Sequence, residues 1–143
     1  MLKTVLTFLL FLLTWVGYSQ TIQVEISGIK TNAGQILIGV YTSDDAFQNQ
    51  EPIKRITVSK KEINNGNLTA LIEGLKPGAY ALALMDDSNM DRLMEYRFFL
   101  PKEGYGFSNY YHTGIARVRF NDFKFDLRDK DITVFMRVQY LFD

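Results

Sequence analysis

The residues best suited to chemistry lie in one run, "DDSNMDRLME", Asp86 to Glu95. Asp86, Asp87, Asn89, Asp91 and Glu95 bring oxygen-bearing side chains, besides Ser88, to the end of an expected strand. Calcium is a hard cation that takes about six to eight oxygens. Asp87-x-Asn89-x-Asp91 has the opening spacing of a calcium loop, so Asp86, Asp87, Asn89 and Asp91 are the candidate metal ligands. The spacing then fails. Arg92 stands where such a loop needs glycine, and Phe98 where it needs its closing glutamate. Arg92 also adds a positive charge to the cage. The same run suits a solvated acidic turn that caps a strand end. Asp86 with Glu103 is the one carboxylate pair to weigh for acid–base hydrolysis.

The second candidate is "PKEGYGFSNYY", Pro101 to Tyr111, with His112 after it. Pro101 ends any element before it. Gly104 and Gly106 alternate with Tyr105 and Phe107, which lets the backbone turn while the aromatics are aimed. On one reading, Tyr105 and Phe107 point into the end of the fold and close its core, with Glu103 or Asn109 bonding loop amides. On the other, Tyr105, Asn109, Tyr110, Tyr111 and His112 form a recognition platform for a sugar ring or a peptide. Ser108 and His112 stand four apart in a loop, which is weak support for a catalytic pair. Nucleophile elbows, phosphate loops and dinucleotide fingerprints are absent. The chain has no cysteine and one histidine. Thiol chemistry, disulfides and a two-histidine metal site within one chain are excluded. No cofactor is expected, calcium being the one candidate.

The elements that must position these residues follow a leader. In "MLKTVLTFLLFLLTWVGYSQ" Lys3 is the only charge, the run from Val5 to Val16 is apolar apart from two threonines, and Gly17 and Ser19 are small. That is the layout of a signal peptide, residues 1–19. The apolar run is short for a membrane span, which needs roughly 20 residues. The expected mature protein is one domain, residues 20–143, periplasmic or extracellular, with no transmembrane span. Lysines and arginines number 16 and so do aspartates and glutamates, which argues against a nucleic-acid partner.

The mature chain reads as strands. "TIQVEISGI" alternates, with Ile22, Val24 and Ile26 on one face. "QILIGVYTS" is apolar on both faces, as a central strand would be. "DDAFQNQEP" suits a loop or one helical turn. "IKRITVSKK" reads as an edge strand guarded by Lys54, Arg55, Lys60 and Lys61. "INNGN" is a hairpin-type turn. "LTALIEGL" follows as a strand. Pro77-Gly78 fits a type II turn. Tyr80, Leu82 and Leu84 then face one way and Ala79, Ala81 and Ala83 the other. Asp86 to Tyr111 is irregular. Phe123, Phe125 and Leu127 point inward, as do Ile132, Val134, Met136, Val138 and Tyr140. Seven or eight short strands without a long helix predict an all-β, antiparallel two-sheet sandwich, immunoglobulin-like or transthyretin/prealbumin-like. Periodicity does not exclude a small barrel.

"GLKPGAYALALMDDSNMDRL" followed by "PKEGYGFSN" resembles the secreted bacterial family catalogued as domain of unknown function 2141. The family's turn and strand fall on Leu75 to Tyr80, its acidic loop on Asp86 to Asp91, its nine-residue motif on Pro101 to Asn109, and its Phe-rich strand on Phe120 to Leu127. The resemblance implies a β-sandwich of the cell envelope or exterior with no assigned reaction. The family's acidic loop, similar to His-Asp-Glu-Asn-x-Asn-Gly-x-Leu-Asp, itself suggests calcium. Here Asp86 keeps the first aspartate. Met85 replaces the histidine, Ser88 and Met90 the asparagines, Asp91 the glycine and Met94 the last aspartate. The expected function is a non-catalytic binding or structural module whose partner is an envelope protein or glycan. A calcium-stabilised module and a hydrolase using Asp86 and Glu103 are the alternatives.

Overall fold

The computed structural model describes residues 19–97 and 100–142. The apolar N-terminal run lies outside the described residues. Ser19 lies within them, and its hydroxyl accepts a hydrogen bond from the Gly74 amide at 3.0 Å. Among the described residues no helix is long and apolar enough to cross a membrane.

The strands are β1 (Gln20–Ser27), β2 (Gln35–Tyr41), β3 (Lys54–Ser59), β4 (Leu68–Leu75), β5 (Gly78–Asp87), β6 (Tyr96–Arg97), β7 (Leu100–Pro101), β8 (Gly104–Phe107), β9 (Lys124–Leu127) and β10 (Ile132–Arg137). Two short helices, α1 (Asp44–Gln48) and α2 (Phe120–Phe123), and a 3-10 turn at Lys60–Glu62 complete the set. One sheet has the order β10-β1-β4. The other runs β3-β2-β5-β8, with β9 also on β5. The fold is all-β and sandwich-like, as the alternation predicts. One pair departs from the antiparallel expectation: β10 runs parallel to β1, from Ile22 opposite Ile132 to Ser27 opposite Arg137. Nearly the whole chain separates these two strands, so the long crossover that a parallel pair needs is available.

The core between the sheets is built from alternate residues, including Ile22, Val24, Ile26, Ile36, Ile38, Val40, Leu82, Leu84, Val134 and Met136. Each such side chain contributes about 1.5–3 kcal/mol on burial. A second buried cluster joins Tyr41, Ala81, Tyr105, Phe107, Phe120 and Phe123. The alanine face of β5 is therefore covered at Ala81, by aromatics rather than by a second sheet, while Ala83 is only partly buried and Ala79 is exposed. Phe47 of α1 sits edge-on to Tyr41 and to Phe123, with ring centroids 5.3 Å and 4.9 Å away.

Strand β5 is ten residues long, and two strands share one of its edges. Gly78 to Ala81 pair with β9, and Ala83 to Asp86 with β8. Ser108 fills the step between them. Its amide donates to the Leu82 carbonyl at 3.0 Å. Its hydroxyl accepts from the Leu82 amide at 2.9 Å and donates to the Phe123 carbonyl at 2.6 Å. This fully buried serine is a backbone splice.

Four expectations need correction. Tyr105 and Phe107 are buried, but on the outer face, in the aromatic cluster. The inward positions of β8 belong to the glycines, because the C-terminal strand passes there. A Cβ on Gly104 would lie 2.5 Å from the Tyr140 ring, and one on Gly106 2.8 Å from the Arg137 carbonyl oxygen. Phe123 likewise joins the outer cluster, since α2 interrupts the alternation that takes Phe125 and Leu127 to the core. Gly78 does not adopt the positive φ of a type II turn. Gly74 does, at 78°, and Gly78 opens β5. Strand β3 is the edge strand expected, but Lys60 beyond it is fully buried. The Asn65–Gly66 turn behaves as read, with φ of 50° and 76°.

The packing around β8 predicts the effect of adding one methyl group. Gly106→Ala is expected to cost about 1–3 kcal/mol in urea unfolding, because backbone rather than a flexible side chain must move. Gly78→Ala, where the new Cβ meets nothing closer than 3.6 Å, is expected within about 0.5 kcal/mol of wild type. Equal effects would contradict the assigned orientation of β8.

Candidate functional site

The outer face of the larger sheet is a groove. Two rungs form its floor. Arg55, Gly39, Ala83 and Phe107 stand opposite one another across β3, β2, β5 and β8, and Thr57, Leu37, Met85 and Tyr105 form the next rung. The middle is shallow in side chain because Gly39 and Ala83 are small. A Cβ at Gly39 would lie 2.9 Å from the Tyr41 ring, so the glycine makes room for that ring. One wall is the segment through Arg92, Met94 and Tyr96. The other is the loop through His112, Ile115 and Arg117, and α1 contributes Phe47 and Gln48. The enclosed volume is about 590 Å³, within the range of roughly 300–1,000 Å³ typical of small-molecule sites.

Two of the groove's arginines are held by neutral oxygens. Arg55 Nη2 donates to the Gln50 carbonyl at 3.2 Å, and Arg117 Nε to Gln48 Oε1 at 2.6 Å. Both arginines thus hang from the α1 corner. Burial pushes the Tyr41 hydroxyl above its ordinary pKa, and Arg55 opposes that rise. Burial also raises Tyr105, assisted by Tyr111. Both hydroxyls therefore stay neutral near pH 7.

Of the residues read as a recognition platform, Tyr105 and His112 line this groove. Asn109 instead extends the ladder. Its amide donates to the Phe135 carbonyl at 2.7 Å, and its Oδ1 accepts from the Phe135 amide at 2.9 Å. Tyr110 packs against Phe107, and its hydroxyl lies 3.3 Å from His112 Nδ1. Tyr111 is half-exposed beneath the Arg137 guanidinium, 4.9 Å from the ring centroid. Gln139 fixes His112 through both of its backbone groups, at 3.1 Å and 2.7 Å. The Ser108 hydroxyl is engaged by Leu82 and Phe123, while the His112 ring meets Tyr110. The structure does not join the two as a nucleophile and base.

The acidic run is divided by the pleat of β5. Asp86 points inward, where its carboxylate contacts Lys60, the Tyr140 hydroxyl and Ser88. Asp87 points the other way. Its Oδ2 accepts from Gln35 Nε2 at 2.7 Å and from the Arg92 amide at 3.2 Å. Its Oδ1 is buried without a hydrogen-bond partner among the described residues. Asn89 and Asp91 are exposed and bond to each other at 2.8 Å. Among the described residues no three His, Asp or Glu side chains are grouped as metal ligands. Glu103 accepts from the Glu95 amide at 2.8 Å and so pins the loop before β6.

The groove residues Leu37, Ala83, Met85, Arg55, Arg92 and Arg117 are not among the candidates read from the sequence. A signal for the floor was present: β2 and β5 are apolar on both faces, so the second face also needs a cover or a ligand.

The family model described as "Uncharacterized protein conserved in bacteria (DUF2141)" matches residues 24–134. The chain belongs to this family. The match runs from β1 into β10 and so takes in both rungs of the floor and both walls. No curated protein and no solved structure matches the chain.

The buried Lys60–Asp86 contact yields a stability prediction. Removing one partner strands a buried charge, so Lys60→Met is expected to cost about 3–5 kcal/mol. The double variant Lys60→Met/Asp86→Leu is expected to recover more than half of that. Equal losses in single and double variants would contradict a coupled pair. Burial, followed by the bond to Asp86, also holds Tyr140 above its ordinary value of 10.0. The neutral phenol's contribution is complete below that pH and is lost as pH rises through the folded value. Tyr140→Phe should therefore flatten the fall in stability above about pH 10.

Proposed function

We propose that this member of the family is an exported, non-catalytic binding module of the bacterial cell envelope, and that its ligand has an apolar body seated in the groove. The observation that carries this reading is the roughly 590 Å³ groove over an apolar sheet face. A two-sheet fold needs only one covered face per sheet. Here the second face is half covered by an aromatic layer and half open, with Leu37, Ala83 and Met85 only partly buried. Export rests on the single charge, apolar run and small residues of positions 1–19. The non-catalytic part rests on the internal engagement of Ser108 and Asp86. A sugar stacked on the loop tyrosines is less favoured, since Phe107 packs on the Tyr110 ring and Arg137 covers the Tyr111 ring.

The test uses N-phenyl-1-naphthylamine, a neutral apolar dye. Its fluorescence is expected to rise saturably with the wild-type protein. Thr57→Trp and Ala83→Leu, which fill the floor, are expected to weaken dye binding at least about tenfold while the melting temperature holds. No saturable binding, or binding indifferent to both changes, would overturn the groove as the site.

Calcium is not part of this reading, because Asp86 and Asp87 lie on opposite faces of β5. The thermal midpoint is expected to be the same in excess calcium as in EDTA. A rise of several degrees in calcium would restore the ion-stabilised alternative.

A further inference from the structure

We propose that the groove's ligand is an anionic amphiphile, with its acidic head at the α1 corner and its hydrocarbon body along the sheet. This rests on the reading of the groove as a binding site and adds the chemical class of its occupant. The first support is charge. Lysines plus arginines equal aspartates plus glutamates in the whole chain, yet Arg55, Arg92, Arg117 and His112 line the groove with no aspartate or glutamate among its lining residues. Such segregation in a neutral protein marks a focused positive potential.

The second support is the state of those cations. Among the described residues none of the three arginines is ion-paired with a carboxylate. Arg55 and Arg117 are held by a backbone carbonyl and an amide oxygen. These bonds aim the guanidinium groups without pairing either with a carboxylate, although Asp44 attracts Arg117 through space. Asp44, on the same helical turn, accepts from the Phe120 amide at 2.8 Å and from Gln48 at 3.4 Å. Its contact with Phe120, first, holds its pKa below the usual carboxylate value. Remaining guanidinium N–H groups suit a carboxylate or phosphate oxygen pair.

The third support is the gradation along the floor. Arg55 stands on β3, and the same rung passes through Gly39 and Ala83 to Phe107 on β8. A ligand lying along it meets cation, then bare floor, then aromatic ring. Ile115 on the facing wall is 95% exposed, which leaves an apolar side chain for a bound chain to cover.

The experiment compares dodecanoate with dodecanol, which share a tail and differ in the head, by competition against N-phenyl-1-naphthylamine on the whole protein. Dodecanoate is expected to compete at least about tenfold more tightly. That preference, read as the ratio of the two ligands within each variant, is expected to fall severalfold in Arg55→Gln/Arg117→Gln, with the melting temperature checked. Dodecyl phosphate, run alongside, is expected to share the preference. Equal competition by dodecanol and dodecanoate would overturn the anionic head while leaving the groove reading in place. Failure of the dye and both ligands to bind would overturn both. A preference that survives Arg55→Gln/Arg117→Gln would overturn the assigned head-group corner.

Discussion

The fold turns on how closely the backbone of β8 approaches the C-terminal strand. Gly104 and Gly106 take the inward positions because no Cβ fits against Tyr140, Val138 and the Arg137 carbonyl. Tyr105 N and O exchange hydrogen bonds with Gln139 at 3.0 Å and 2.7 Å, and these tie the edge of the larger sheet to the smaller one. With glycine inward, the period-two alternation sends Tyr105 and Phe107 outward. They would be a costly exposed surface alone. Phe47, Phe120 and Phe123 meet them there, and the remaining open part of that face is the groove. One steric requirement thus produces the closed edge, the second aromatic cluster and the candidate site.

The buried charges serve the same end of the molecule. Asp86 lies at the top of β5, opposite Gly104, and receives Lys60 from beyond β3 and Tyr140 from beyond β10. Three distant parts of the chain therefore meet at one carboxylate. A buried ion pair is weak support for stability in itself. It does penalise any register in which Asp86 lacks its partners, and so favours one docking of β10 against β8.

Much of the fold was legible because alternation reports burial directly. Ile22, Val24 and Ile26, and later Val134, Met136 and Val138, occupy the faces their spacing indicates. The parallel pairing of β1 and β10 was not legible, since side-chain period says nothing about strand direction. The orientation of "GYGF" was not legible for a physical reason: aromatics usually seek the core, and only the closeness of Arg137 and Tyr140 reserves that side for glycine. Lys60 looked like a guard on an edge because its buried partner lies 26 residues on. The site was half legible. Tyr105 and His112 belong to the groove, but Arg55, Arg92 and Arg117 come from separate elements, and their convergence depends on how α1 and two loops pack over the sheet.

The most direct test of this account is a nuclear Overhauser map of the Phe107 ring in solution. The account predicts contacts to the rings of Phe123 and Phe47 and to the Ala81 methyl, and none to the methyls of Val134 or Met136. Contacts from Phe107 to Val134 or Met136 would place the aromatic inside the sandwich. That result would remove the outer aromatic layer and the groove beside it.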